Sequence, residues 1–377
     1  MRLGFVGDIC PASIEGDFVF SNDVLSDFLK SDILEQLRSS DYNIGNLECP
    51  FTNSNKKIKK IGPSIKANFE SIGLLNKAKI NIVSLANNHI KDFDGQGIDD
   101  TINICSKNNI LTFGAGTSRN KIRNNITIES GNKKIGIISY AENEFNENIN
   151  EVGTSNTYHV LRQILSLKEE NVDYIIIFAH GGNEHFHYPS PEKQQLYRFF
   201  IDIGANLVVG HHPHCIQGME IYKESPIFYS LGNFFFPSTR GFEQAHIGFY
   251  LLLEINERGL NYKTIPYKQN KNNYRINILS NKEKKQFLDF FDYISKIILD
   301  KDQYEKKWKE FIRKKQNSYL KSLLPVNKYV FALLKRTGFI NYIFNESFLM
   351  SLLNNIRCES HRENLIEIIK LNLYKDD

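Results

Sequence analysis

The chain has 377 residues, 41% of them hydrophobic, so it can bury a large core and is not a disordered polymer. Its formal net charge of +4 is too small for a nucleic-acid-binding surface to be its main business. Five scattered cysteines without a CxxC pair (Cys10, Cys49, Cys105, Cys215 and Cys358) argue against a disulfide framework and for a reducing compartment.

The first apolar run, residues 3–6, reads as a strand and ends in Gly7-Asp8. A helical pattern over 24–38 leads to a strand at 42–46, closed by Asn46-Leu47-Glu48. A helix at 70–78 precedes a strand at 80–85, and Asn87-Asn88-His89 follows. Next come a helix at 95–107, strands at 110–113 and 134–139, and a helix at 157–169. The strand at 173–178 runs into His180-Gly181-Gly182-Asn183-Glu184-His185. After a helix at 190–203, the strand at 206–209 delivers Gly210-His211-His212-Pro213-His214. This alternation predicts an α/β domain with much parallel sheet. Runs at 227–231, 245–255 and 260–266 lack helices between them. They predict an added antiparallel sheet with Glu257-Arg258-Gly259 as a hairpin turn. The expectation is two sheets face to face with helices outside.

Residues 268–282 are polar and read as a linker. Beyond them Phe287, Phe290, Phe291, Ile294, Ile297 and Ile298 recur at helical spacing, with a second helix over 302–320 and more after Pro325. The predicted organisation is a domain at 1–267, a linker at 268–282 and a helical C-terminal extension at 283–377. From Ser280 onward 19 Lys/Arg face 13 Asp/Glu, so the tail carries the whole positive excess. Such a tail can touch a membrane surface or an acidic partner such as a synthase, although a solvated face is the commoner explanation. No run approaches 18 apolar residues, and the first strand starts at Arg2. The expectation is a soluble cytoplasmic protein.

Each polar cluster stands where a strand ends, so distant segments can build one site. Mixed carboxylate, amide and imidazole donors suit a pair of divalent metals such as manganese, iron or zinc. Asp8 offers a hard oxygen, although a lone Asp there is more often a turn residue. Cys10 is a soft ligand or a small core filler, with the filler favoured. Glu48 can bridge two metals or sit at the surface. Asn88 is an unusual neutral ligand, and the adjacent His89 can donate a proton, oriented by Asp92 three residues on. His180 is a ligand or a core residue. Glu184, His185 and His187 crowd the same loop, the two histidines as substrate or supporting contacts or simply as exposed residues. In His212-Pro213-His214 both rings face one side, ready for one metal each, while His211 points the other way.

Six ordered motifs carry a resemblance: GD at 7–8, NLE at 46–48, SLANNHIKDFDGQG at 84–97, AHGGNEH at 179–185, LVVGHHPHCIQG at 207–218 and IFYSLGNFFF at 227–236. Over about residues 1–255 the chain resembles the CapA-type proteins of capsule and poly-γ-glutamate synthesis, relatives of the calcineurin-like metallophosphoesterases. The resemblance implies a four-layer α/β/β/α sandwich with a dinuclear site at the strand ends. Asp8, Glu48 and His214 would serve one metal. Glu48, Asn88, His180 and His212 would serve the other, with His89 as proton donor. Lys66, Glu184, His185 and Asn233 would contact an anionic substrate. The first motif departs from the usual Asp-x-His, being Asp8-Ile9-Cys10, and Glu48 stands where Asp is usual.

The implied function is metal-dependent hydrolysis of a phosphoester or related bond in cell-surface polymer synthesis. Its substrate would be an anionic polymer or a phosphorylated small molecule. Two alternatives stand beside it. One is a non-catalytic polymer-binding or scaffold subunit. The other is an amide-bond hydrolase or transferase on a poly-γ-glutamyl chain, using the same metals.

Overall fold

The computed structural model describes residues 1–12, 28–117, 122–130, 132–144, 157–237, 243–257, 259–270 and 274–373. Strand β1 (Arg2–Ile9) is central to the first sheet. On one side it pairs in parallel with β2 (Tyr42–Leu47), then β3 (Ile82–Ser84) and β4 (Leu111–Phe113). The second sheet begins with β5 (Asn125–Ser130) and β6 (Lys133–Ala141), an antiparallel pair. Parallel β7 (Tyr174–His180) and β8 (Leu207–His211) follow, then the β9 (Met219–Tyr222) and β10 (Ser225–Phe228) hairpin. Strand β10 lies parallel to β8.

The late strands differ from expectation. Strands β12 (Ile247–Asn256) and β13 (Gly259–Gln269) are antiparallel, but they build no separate sheet. Strand β12 pairs directly with the free side of β1, with Leu3 opposite Leu253, and so extends the first sheet. Short β11 (Asn233–Phe235) also pairs with β1, in parallel, at its C-terminal end. The hairpin connects Asn256 to Gly259, and Arg258 of the expected turn lies outside the described residues. Within the stretch read as a linker, β14 (Ile276–Ile278) adds to the edge of β13. Its three residues are too few for a periodic signal.

The sheets face each other through aromatic side chains. Phe5 of β1 and Phe113 of β4 sit 6.3 and 6.2 Å from Phe178 of β7, and Phe228 of β10 sits 6.0 Å from Phe249 of β12. Alternation along a strand sends the neighbours outward. Val6, Ile9 and Val83 join an outer cluster with Ile33 and Leu37 of α1 (Ser31–Arg38), Leu74 of α2 (Ile72–Lys77) and Ile98 of α3 (Asp94–Lys107). Helices α4 (Thr157–Glu169) and α5 (Pro191–Asp202) cover the second sheet. Ser190 caps α5 by accepting from the Lys193 N–H, and Pro191 follows at the first turn, as helix starts favour. The result is a four-layer α/β/β/α sandwich.

Helix α6 (Asn281–Leu299) opens with a capping box between Ser280 and Glu283. It lays Phe287 and Phe291 against Phe249, at 5.9 and 5.3 Å. The chain divides into compact units Met1–Trp308 and Lys309–Asp377, so α6 belongs with the sandwich. Helix α7 (Lys301–Ser322) crosses the division. Four helices follow: α8 (Lys328–Arg336), α9 (Phe339–Ile343), α10 (Glu346–Arg357) and α11 (Glu359–Leu373).

Candidate metal centre

Parallel strands expose their C-terminal tips at one edge, the usual ligand-binding edge of α/β sheets. Here β1 supplies Asp8, β2 leads to Glu48, and β3 leads to Asn88 and His89. Strand β7 ends on His180, and β8 leads to His212 and His214. The pairing register of β1 shifts at Asp8 against both β2 and β11. Such a bulge re-aims a side chain. Gly7 permits it, because a Cβ there would stand 1.8 Å from the Gly232 carbonyl oxygen.

Two trios of donors form among the described residues: Asp8 with Glu48 and His214, and Glu48 with His180 and His212. In each, the candidate ligand atoms lie within 4.8 Å of one another. Glu48 belongs to both. Its Oε1 is 3.5 Å from His214 Nε2 and 3.8 Å from His180 Nε2. Asn88 Oδ1 and His212 Nδ1 each lie 3.1 Å from His180 Nε2. That ring nitrogen carries at most one hydrogen, so it cannot serve every acceptor facing it. Glu48 Oε1 is buried without a hydrogen-bond partner. Burial and then neighbouring Asp8 push the Glu48 pKa well above the usual carboxyl value. Asp8 is raised too, by burial, although His214 and Asn46 oppose the shift. A cation placed among these oxygens and neutral imidazoles would relieve both penalties, so the donor set fits one.

The imidazoles are held neutral, as ligation requires. Burial, then His212, depresses His180 well below the usual value. Burial and His214 bring His212 to about 4. His212 and His214 adopt positive φ, 98° and 53°, a conformation uncommon for non-glycine residues.

Supporting residues fix this arrangement. Asn46 donates to Asp8 Oδ1 at 2.8 Å and reaches Glu48 Oε2 at 3.4 Å. Asn233, expected as a substrate contact, is hydrogen-bonded on the Nδ1 side of His214. Its Oδ1 is 3.0 Å from His214 Nδ1, and its amide donates to the Ala245 carbonyl. With the proton on Nδ1, His214 turns Nε2 toward Glu48. Asn88 donates to Glu144 Oε2 at 3.1 Å, which leaves its own Oδ1 facing His180. Gly182 N–H donates to Glu142 Oε2 at 3.0 Å, and Lys193 pairs with the other oxygen. Burial pushes Glu142 up, but Lys193 and the Gly182 N–H hold it below the usual range.

His89 Nδ1 stands 2.8 Å from Asp92 Oδ2. Asp92 also accepts from the Ile65 N–H at 2.8 Å and pairs with buried Lys60. Lys60 Nζ is 3.2 Å from the same His89 nitrogen. Glu184 and His185 share the neighbouring loop, 3.9 Å apart, with the His185 ring 6.1 Å from that of His214. The Lys66 ammonium donates to the Ser54 carbonyl at 2.5 Å and to Asn55 Oδ1 at 3.1 Å, over the Phe93 ring. Cys10 sits in the outer apolar cluster with Cys49, so the filler reading describes it. His211 turns between the sheets, stacked 4.1 Å from Phe178.

Sequence reasoning missed Glu142, Glu144 and Lys60. The strand-tip rule finds the first two, because the apolar run IGIISYA ends in Glu142-Asn143-Glu144. Lys60 comes from a loop without periodicity, and no local signal marks it.

The sandwich thus gathers carboxylate, carboxamide and imidazole groups at its strand tips. The chain belongs to the family described as bacterial capsule synthesis protein PGA_cap, whose model matches residues 2–238. It is 29% identical over 264 residues to the capsule biosynthesis protein CapA of Bacillus anthracis, covering 67% of this chain and 64% of that protein. It is 30% identical over 260 residues to the PGA biosynthesis protein CapA of Bacillus subtilis, covering 65% and 68%. The chain thus spans about two thirds of these relatives' length. A solved structure described as a novel phosphatase from Mycoplasma pneumoniae aligns with TM-score 0.47 and 14% identity, covering 73% of this chain and 95% of that one.

Proposed function

We propose that the chain is a metal-dependent hydrolase of the CapA type. Its centre is dinuclear and acts on a phosphoester or related bond during synthesis of a capsule or other cell-surface polymer. The observation that carries this reading is Glu48 Oε1, a buried carboxylate oxygen shared by two donor trios and lacking any hydrogen-bond partner. The names of the two Bacillus relatives support the polymer context. The substrate class is an anionic polymer or a phosphorylated precursor of one.

Bound divalent cations would supply Lewis acidity and lower the pKa of water toward about 7. Asp8, Glu48 and His214 would hold one. Glu48, Asn88, His180 and His212 would hold the other. Three protein donors for the first leave room for water and substrate, the pattern of a catalytic rather than a closed structural site. Asn46, Asn233 and Glu144 keep Asp8, His214 and Asn88 aimed inward. Asp92 accepts from His89 Nδ1–H and sets the orientation of the ring, whose imidazolium form would donate from Nε2 to the leaving oxygen. Lys60 balances the Asp92 charge and keeps that carboxylate in place.

Hydrolysis of aryl phosphomonoesters and phosphodiesters, measured before and after chelation, tests the reading. Chelation is expected to abolish turnover, and added manganese, iron or zinc to restore it. Turnover indifferent to chelation would sink the metal-dependent assignment.

A further inference from the structure

Among its described residues, the unit Lys309–Asp377 has almost no core. Among the described residues of this unit only Phe311 and Phe331 are buried hydrophobics. Seventeen of the twenty-eight exposed large hydrophobic side chains among the described residues lie here. Tyr329, Leu333, Tyr342, Met350, Ile356 and Ile368 are each between 52% and 74% exposed. Soluble surfaces seldom carry so dense a set of exposed large apolar side chains without a partner.

The charge indicates which partner. Residues 309–373 hold eleven Lys and Arg against five Asp and Glu. Cations close three of the four helices, with Lys335 and Arg336 ending α8, Arg357 ending α10 and Lys370 in the last turn of α11. A second copy of this chain would bring like charge to like charge, which opposes pairing. An anionic surface that also accepts apolar side chains satisfies both features. Helices α8 to α11 have 9, 5, 12 and 15 residues, and none of the described helices is long and apolar enough to cross a membrane.

We propose that this unit docks in the plane of an anionic lipid surface. Its apolar side chains enter the boundary between headgroups and acyl chains, and its Lys and Arg face the lipid phosphates. The proposal is independent of the hydrolase reading.

Sedimentation of the full-length protein with vesicles tests it. Vesicles of phosphatidylcholine with phosphatidylglycerol are expected to bind the protein, salt to weaken that binding, and pure phosphatidylcholine to bind far less. Leu333→Glu combined with Met350→Glu is expected to abolish binding, with helix content by circular dichroism unchanged. Lys335→Gln with Arg336→Gln is expected to weaken partitioning about fivefold for each charge removed. Failure to bind anionic vesicles, or equal salt-independent binding to both compositions, overturns the proposal. So does a stable dimer that the two Glu substitutions dissociate, because the face then belongs to a second copy.

Discussion

Glu48→Gln is expected to leave a folded protein that has lost metal and turnover together. The substitution keeps the shape of the side chain and removes the one charge common to both trios. Loss of a supporting hydrogen bond costs metal affinity about 10–100-fold. Loss of a shared anionic ligand is expected to exceed about 100-fold and to bring hydrolysis to background. In the metal-free protein the effect on stability reverses. The unfolded chain ionises this carboxyl near 4.5, whereas burial and Asp8 keep the folded pKa well above that. Above pH 4.5 the folded state therefore binds the proton that the unfolded state has lost. Stability of the metal-free wild type falls as pH rises from there toward the folded pKa. The substituted chain lacks this slope, so metal-free Glu48→Gln should melt higher than metal-free wild type at neutral pH. Isothermal titration with manganese and thermal melts in chelator check both halves. Metal affinity equal to wild type would remove Glu48 from the centre.

His89→Ala is expected to lower turnover about 10²–10⁴-fold, or about 3–5 kcal/mol of barrier, without loss of metal. The ring is held by Asp92 at 2.8 Å and lies outside both donor trios. A proton donor matters most when the leaving oxygen is basic. The deficit should therefore be large for alkyl esters and small for nitrophenyl esters. A uniform deficit across leaving groups, or metal lost along with activity, would contradict this role.

Much of the site was legible because parallel strands obey one rule. An apolar run that ends in a carboxylate, amide or imidazole puts that group at the ligand-binding edge, and this placed Asp8, Glu48, Asn88, His180, His212 and His214 together. The direction of His211 followed from strand alternation, and it packs between the sheets on Phe178. Partners set by tertiary pairing were not legible. Asn233 reads from sequence as a substrate contact, and only the pairing of β11 with β1 discloses its hydrogen bond to His214. Lys60 reaches Asp92 across 32 positions of chain. The misplacement of β12 has the same origin. A run of antiparallel hairpins does not disclose which existing edge it joins, and here the free side of β1 took it.

Elemental analysis of the purified full-length protein, beside His212→Ala, tests the central claim most directly. The account predicts about two transition-metal equivalents in the wild type and a clear loss in the variant, with its fold retained by circular dichroism. A wild-type protein that stays empty after manganese, iron or zinc is supplied, or a variant as fully loaded as wild type, would contradict it.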